Sequence, residues 1–230
     1  MAIKIIEIEG VGSVSFQKRK GTRSLKLHIR GNCVKVTMPN WYPYAQAKQY
    51  VLQKKSWILE HKKETNVLTH GTFIGKQHKI AVVSGESNRT IVKNGQIKLT
   101  IANDHTIESE NVQKKLVKAC ERALALESNT LLVSRVNDIS IENDIGYNSV
   151  KFKKLQSRWG SCDHHNNLVF NIYLLQLPWK LIDYVIVHEL AHTIQHNHSR
   201  AFWDEVAKIL PDHKNLRKEV ATYDTQVVVM

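Results

Sequence analysis

The stretch WKLIDYVIVHELAHTIQHNHSRAFW, residues 179–203, predicts a helix that carries metal ligands. Its centre, HELAH at residues 188–192, matches the pattern H-E-x-x-H. On a helix, residues four apart lie on one face, so His188 and His192 can direct both imidazoles at one ion. Glu189 would then lie beside the ion without being a ligand, which is the position of a general base.

The same pattern could arise by chance on a surface helix that happens to carry two histidines. The preceding residues 181–187, LIDYVIV, are mostly apolar and predict a buried helix. Buried imidazoles and carboxylates without partners are costly, so burial favours a metal site. Tyr184 lies one turn before His188 on the same face, where it is either a core tyrosine or a donor to a transition-state oxyanion.

A catalytic zinc commonly has three protein ligands and an open fourth position. The nearest candidates for the third ligand are His196 and His198. On a continuing helix, His196 would extend the line of His188 and His192 along the axis, and three ligands in line cannot converge on one ion. A chain that leaves the helix near Asn197 can turn His198 back over the metal. The sequence therefore favours His198, with His196 as the alternative.

A second conspicuous segment is SRWGSC, residues 157–162. Arg158 within it could bind a substrate carboxylate or phosphate with two parallel hydrogen bonds, or could pair with an acidic residue of the protein. Cys162 could be a metal ligand, but packing of a small thiol is favoured. The following residues 168–173 predict a strand that forms a hairpin with this segment, and its edge could pair with an extended peptide.

These segments together resemble the YgjP-like metallopeptidase family, which is related in its core to SprT-like zinc proteases. The matching features in the second half of the chain are SRWGSC at 157–162, Asn171, Pro178, residues 183–192 and NHSxxFW at 197–203. The first half is similar as well, with a basic β-rich opening, Trp57-Ile58 in a helix and a strand start at Gly75.

The resemblance implies a zincin-like core with His188, His192 and His198 as ligands of one zinc ion and Glu189 as the catalytic glutamate. Other divalent metals also suit a site of three histidines. The spacing from His192 to His198 equals that of metzincins, but Gln195 stands where those proteins carry a glycine. This departure argues against a metzincin turn.

Charge is distributed unevenly along the 230 residues, whose net charge is +12. Residues 1–65 carry 13 Lys and Arg against 4 Asp and Glu, whereas residues 141–230 carry 10 against 10. The excess predicts an anionic partner of the amino-terminal region, nucleic acid or nucleotide, although it could serve solubility alone. Lys26, Arg30 and Lys35 are expected on the outer face of two neighbouring strands, where such a partner would bind.

The remaining composition excludes several classes of protein. The opening MAIKIIEIEG alternates apolar and charged residues and predicts a strand rather than a signal peptide. Apolar runs approaching 18 residues are absent, so no membrane span is expected. Three widely spaced cysteines predict reduced thiols and a cytoplasmic protein.

Periodicity predicts the order of the elements. Strands are expected at 2–9, 11–17, 25–30, 34–38, 69–75, 78–84, 89–93 and 96–102. Helices are expected over about 44–63 and 109–135, from Pro178 through the H-E-x-x-H motif, over 200–210 and over 213–223, with Phe202 and Trp203 under the metal site. The predicted fold is α+β: a basic β-rich region with one helix, residues 1–104, and a zincin-like metal-binding catalytic domain, residues 105–230.

The leading functional hypothesis is a zinc-dependent hydrolase, specifically a metallopeptidase that cleaves peptide or protein substrates. A metal-dependent nucleotide phosphohydrolase (a pyrophosphatase) is the alternative, because the same metal chemistry can attack phosphorus and the basic region would attract phosphates. A nucleic-acid-associated protease, or a binding module without catalysis, is a third hypothesis, and it predicts binding that weakens with salt.

Overall fold

The computed structural model describes residues 3–30, 33–61 and 67–225, including the side chains of all these except Arg30 and Cys33. The chain divides into two compact units, residues 1–66 and residues 67–230. Each unit has its own cluster of buried apolar side chains.

The first unit is a four-stranded mixed sheet covered on one face by two helices. Its strands are β1 (Ile3–Ile8), β2 (Gly12–Lys18), β3 (Lys26–Arg30) and β4 (Cys33–Met38), in the order β1-β2-β4-β3. Alternation along the strands turns Val14, Phe16 and Val36 inward, where they pack against Val51 and Ile58 of the helices α1 (Tyr44–Gln53) and α2 (Lys55–His61). The single helix predicted here is therefore two helices, interrupted at Lys54.

The opposite face of this sheet is solvent-exposed and carries basic side chains. His28 lies directly opposite Lys35, and Lys26 follows the same face of β3 two residues earlier. The side chain of Arg30 and the predicted turn at residues 31–32 lie outside what the structure describes. Binding of an anionic partner to this face stays a prediction.

The second unit begins with another four-stranded mixed sheet. Its strands are β5 (Phe73–Ile74), β6 (His78–Gly85), β7 (Arg89–Lys93) and β8 (Gln96–Ala102), in the order β5-β6-β8-β7. Asn94 and Gly95 join β7 to β8 with φ of 49° and 71°, the backbone of the tight hairpin turn that Asn-Gly predicts.

The long helix α3 (Glu110–Glu127) packs across this sheet. Its Leu116 and Ala123 belong to the same apolar cluster as Ile80 and Leu99 of the strands. Apolar contacts join these strands to the helices that follow, so the second compact unit starts at residue 67. The sequence placed the division after residue 104. The assignment of the catalytic function to residues 105–230 stays a prediction.

The helix predicted over 109–135 continues further than expected. A π-helical turn (Ser128–Leu132) follows α3, and α4 (Val133–Glu142) extends the run. The third sheet consists of β9 (Ser149–Lys153), β10 (Gly160–Cys162) and β11 (Asn167–Asn171), in the order β10-β11-β9. The predicted hairpin is present, since β10 pairs antiparallel with β11 and is an edge strand.

The helix α5 (Trp179–Ala191) carries the H-E-x-x-H motif and is buried along most of its length. Arg135 of α4 forms two parallel hydrogen bonds of 2.7 and 2.8 Å with Asp183 of α5. The helices α6 (Arg200–Ile209) and α7 (His213–Val220) pack against α5 as well. The predicted α+β class is thus confirmed as a mixed fold with three small sheets. Within the described ranges, no helix has the length and apolarity that crossing a membrane requires.

Candidate metal centre

Three histidines converge at the carboxyl end of α5. His188 lies near the end of this helix, His192 is its C-cap residue one turn later, and His198 lies in the segment that follows. The candidate ligand atoms of these three residues all lie within 4.8 Å of one another, and Nε2 of His188 lies 3.1 Å from Nε2 of His198. Among the described residues, this is the one group of three or more His, Cys, Asp or Glu side chains arranged to hold an ion.

An early helix end brings His198 into the group. The sequence predicts that the chain leaves the helix near Asn197, and this prediction is wrong, because α5 ends at Ala191. The backbone N–H groups of Ile194 and Gln195 bond to the carbonyl of Ala191 and tighten the last turn. The chain is then free to reverse, which returns His198 to the motif. His196 is exposed and outside the group.

One of the three imidazoles has a hydrogen bond that orients it for metal binding. Nδ1 of His192 donates to the carbonyl oxygen of Gln195 at 3.0 Å, which leaves the lone pair on Nε2. The Nε2 atoms of His188 and His198 face each other, as they would around a shared cation. Tetrahedral zinc, with bonds of about 2.0–2.1 Å, holds ligand nitrogens roughly 3.4 Å apart. The donor set therefore fits a zinc-sized divalent ion.

The electrostatic surroundings keep the ligands in the form that binds metal. Burial lowers the pKa of His188 to about 3, with further lowering by the neighbouring His192 and His198. Burial also lowers the pKa of His192. Both imidazoles are therefore neutral near pH 7, and a neutral imidazole is the ligating form.

Glu189 is buried next to the ligands and points toward strand β10. Burial raises the pKa of its carboxyl to about 7, while the positive charge of Arg158 opposes this rise. Gly160 of β10 leaves the room that the side chain needs, because a Cβ atom at this position would lie 2.6 Å from Cγ of Glu189. The role of Gly160 was not predicted from the sequence, although a glycine inside a strand often marks such a close approach.

Two aromatic residues of α6 support the histidines, as the sequence predicted. The buried ring of Phe202 lies 4.9, 4.4 and 4.8 Å from the ring centres of His188, His192 and His198. Trp203 lies 5.8 Å from both His188 and His198. The three imidazoles therefore rest on an aromatic base.

The two predicted substrate-contact residues occupy different environments. Arg158 is exposed, and its carbonyl oxygen accepts a hydrogen bond of 3.2 Å from Nδ2 of the buried Asn171. Tyr184 is buried in the core with its ring 6.0 Å from that of His188, and burial raises its pKa. Cys162 is half-buried and does not belong to the histidine group, in agreement with the packing role favoured for it.

Comparison with known proteins identifies the family of the chain. The family model described as "YgjP-like, metallopeptidase domain" matches residues 23–223. The chain belongs to this family. It is therefore a metal-dependent hydrolase of the metallopeptidase class, as the sequence predicted, and a divalent metal is its expected cofactor.

Two similar solved structures are metallopeptidase zymogens. One is abylysin of Pyrococcus abyssi, 22% identical over 38% of this chain and 89% of that chain, with a TM-score of 0.35. The other is jannalysin of Methanocaldococcus jannaschii, 22% identical over 38% of this chain and 90% of that chain, with a TM-score of 0.34. Among curated proteins, no sequence matches the chain significantly.

Proposed function

We propose that the protein is a zinc metallopeptidase with a zincin-like core in its second unit, in which His188, His192 and His198 hold one zinc ion and Glu189 is the general base. The observation that carries the proposal is the convergence of three ring nitrogens within 4.8 Å, next to a buried carboxylate. The family supports the same reaction class, because its members are metallopeptidases by description.

The bound ion would supply Lewis-acid polarisation of the scissile carbonyl and of the attacking water. The chain's own contribution to proton transfer is Glu189. Its carboxylate accepts a proton from the attacking water as the new C–O bond forms, and returns that proton to the leaving amine as the C–N bond breaks. A pKa of about 7 suits both steps, because the group can exist in either form near neutral pH.

The position of β10 suggests how a peptide would be held. Among the residues that the structure describes, this strand pairs with β11 only, and its first residue, Gly160, packs against Glu189. An extended peptide that added to the free edge would pass beside the general base, with backbone hydrogen bonds fixing its register. Tyr184, one turn before His188, is proposed as a donor toward the developing oxyanion, and Arg158 as a contact for a substrate carboxylate.

The other two functional hypotheses draw less support. A nucleotide phosphohydrolase would use the same histidines, but the family match is to metallopeptidases. Nucleic-acid binding would use the exposed face with Lys26, His28 and Lys35, and the comparisons add nothing in its favour. A steep loss of DNA binding with increasing salt would restore this hypothesis.

The decisive first measurement is metal content per chain in the wild type, in His198→Ala and in the matched control His196→Ala. We expect about one zinc in the wild type and in His196→Ala, and much less in His198→Ala, because a tetrahedral site needs its third ligand. Equal zinc in all three proteins would contradict the assignment of His198.

Activity is then tested with Glu189→Gln on unstructured protein and peptide substrates. The variant should keep its zinc and lose kcat by roughly 10²–10⁴-fold, the usual contribution of a positioned general base. Full turnover in Glu189→Gln would exclude the mechanism. Release of phosphate from nucleotides by the wild type, with no peptide cleavage, would favour the phosphohydrolase.

A further inference from the structure

An arginine of α7 lies one side chain away from the histidine group. Cζ of Arg217 lies 4.8 Å from the ring centre of Trp203, a cation–π contact. The same indole lies 5.8 Å from the ring centres of both His188 and His198. The ring of His213 stacks on the same indole at 5.7 Å, so Trp203 of α6 contacts two side chains of α7. The guanidinium of Arg217 is thus placed by a rigid aromatic ring and remains exposed.

A second arginine approaches the same site from the segment before β10. The buried amide of Asn171 donates to the carbonyl oxygens of Leu155, Arg158 and Thr225 at 3.1, 3.2 and 3.0 Å. These bonds fix the backbone at Arg158, two residues before the glycine that packs on Glu189. The side chain of Arg158 is exposed.

Neither guanidinium forms an ion pair with an acidic residue in the described part of the chain. Other arginines of this unit do so: Arg135 binds Asp183 with two hydrogen bonds, and Arg200 lies 4.0 Å from Asp204. The ligand group itself contains three imidazoles and no carboxylate, so a bound divalent ion would keep its full charge. Two exposed guanidinium groups without acidic partners among the described residues therefore lie near the histidine group, one on the indole of Trp203 and one beside the strand that packs on Glu189.

We propose that the site selects peptides with a carboxylate close to the scissile bond, and that Arg158 and Arg217 determine this preference. The inference rests on the proposed peptidase function and names its substrate class. A planar guanidinium matches a carboxylate with two parallel hydrogen bonds, and a partly exposed pair of this kind contributes about a tenfold preference. The carboxylate can be an Asp or Glu side chain, or the free carboxyl terminus of a short peptide.

The test measures binding first, so that it does not depend on turnover. Zinc-loaded Glu189→Gln is titrated against fluorescently labelled peptides that differ at one place: a central Glu, Gln or Lys with an amidated end, and a central Gln with a free carboxyl end. We expect anisotropy to show roughly tenfold tighter binding of the Glu peptide than of the Gln peptide, and weaker binding of the Lys peptide. Tight binding of the free-acid peptide alone would identify the carboxyl terminus as the recognised group.

Charge-neutralising variants in the same background assign the preference to residues. Arg158→Gln combined with Arg217→Gln should bind the Glu and Gln peptides within about twofold of each other. Arg89→Gln, which changes another exposed arginine, on β7, is the control and should keep the full preference. Arg217→Lys keeps the charge but loses the planar group, so it should keep part of the preference. Circular dichroism confirms that each variant is folded.

Several outcomes would overturn the inference. One is equal binding of the Glu, Gln and Lys peptides by Glu189→Gln, and another is an undiminished preference in the folded double variant. Failure of the peptidase function is a separate result. In that case, the zinc-loaded wild type cleaves none of the peptides, while the binding comparison still decides whether carboxylates are recognised.

Discussion

Two buried glutamates of the second unit, Glu127 and Glu189, show how surroundings separate a structural carboxylate from a reactive one. Glu127 accepts backbone hydrogen bonds from Lys76, Gln77 and His78 at 2.7, 3.0 and 3.0 Å. Nδ1 of the His78 ring donates to it as well, at 2.6 Å. No hydrogen bond to the carboxylate of Glu189 is found among the described residues. Instead, burial raises its pKa to about 7.

Each of these carboxylates lies against a glycine, and the two glycines differ. A Cβ atom at Gly75 would lie 2.4 Å from Oε2 of Glu127, and Gly75 also has a φ of +65°. At Gly160 the nearest obstacle is the Glu189 side chain, and the residue belongs to an ordinary strand. Gly75 is therefore required both by its positive φ and by the closeness of Glu127. Gly160 is required only by the closeness of Glu189. Four donors fix the first carboxylate, whereas the second remains available to exchange a proton.

The largest expected effect is a loss of stability when the structural carboxylate, Glu127, is replaced. Glu127→Gln places an amide NH₂ among donors that need an acceptor, so it should lower the free energy of unfolding by about 3 kcal/mol. Urea denaturation measures the change, and the zinc content of the folded fraction should stay at the wild-type level. Unchanged stability would show that the hydrogen bonds to Glu127 are replaceable by water.

The next largest effect is a loss of activity when the glycine beside the reactive carboxylate, Glu189, is replaced. Gly160→Ala should lower kcat/KM by about 100-fold, because a displacement of the general base by about 1 Å has consequences of that size. Zinc content should be unaffected, since Gly160 contacts Glu189 and not the ligand group. The control is Gly146→Ala, whose new Cβ would meet nothing within 4 Å. A fully active Gly160→Ala variant would show that β10 can shift away from α5 without displacing the carboxylate of Glu189.

The third prediction concerns stability and has the opposite sign from that for Glu127. The pKa of Glu189 rises from an ordinary 4.5 to about 7 in the fold, so the metal-free folded state loses stability as pH rises through this range. Glu189→Gln removes the buried charge and should raise the unfolding free energy of the metal-free protein by roughly 1–3 kcal/mol at pH 8. Below pH 4 the difference should vanish. Destabilisation at pH 8 would contradict this account.

A smaller effect sharpens the role of the aromatic base. Phe202→Leu removes a ring that contacts all three histidines, and should weaken zinc binding about tenfold in competition with a chromophoric chelator, a loss typical of changes behind the ligands. Val206→Ala removes buried carbon one turn further along the same helix, so it should lower stability and leave zinc affinity unchanged. Equal losses of zinc affinity in the two variants would show that Phe202 acts only through general packing of the core.

The smallest effect is electrostatic. Arg158 lowers the pKa of Glu189, so Arg158→Gln should shift the acidic limb of the kcat/KM profile to higher pH by a few tenths of a unit. The profile of the zinc-loaded enzyme measures it, with Arg89→Gln as the unaffected control. A shift to lower pH would contradict the sign of the interaction.

Much of this arrangement can be predicted from the sequence. The spacing of His188 and His192 predicts a shared helix face, and Asn94-Gly95 predicts the hairpin turn that is observed. Other expectations failed where contacts distant in sequence decide. The run 44–63 reads as one helix but is interrupted at Lys54, and the strands at 73–102 belong to the core of the second unit.

The sequence by itself determined the family, the α+β class and a short set of candidate ligands, because these depend on local spacing and residue type. Only the tertiary structure decided where α5 ends, and with it that His198 rather than His196 joins the histidine group. It alone placed Gly160 on Glu189 and Arg217 on Trp203. Each of these pairs comes from separate elements, and local periodicity carries no information about which elements pack together.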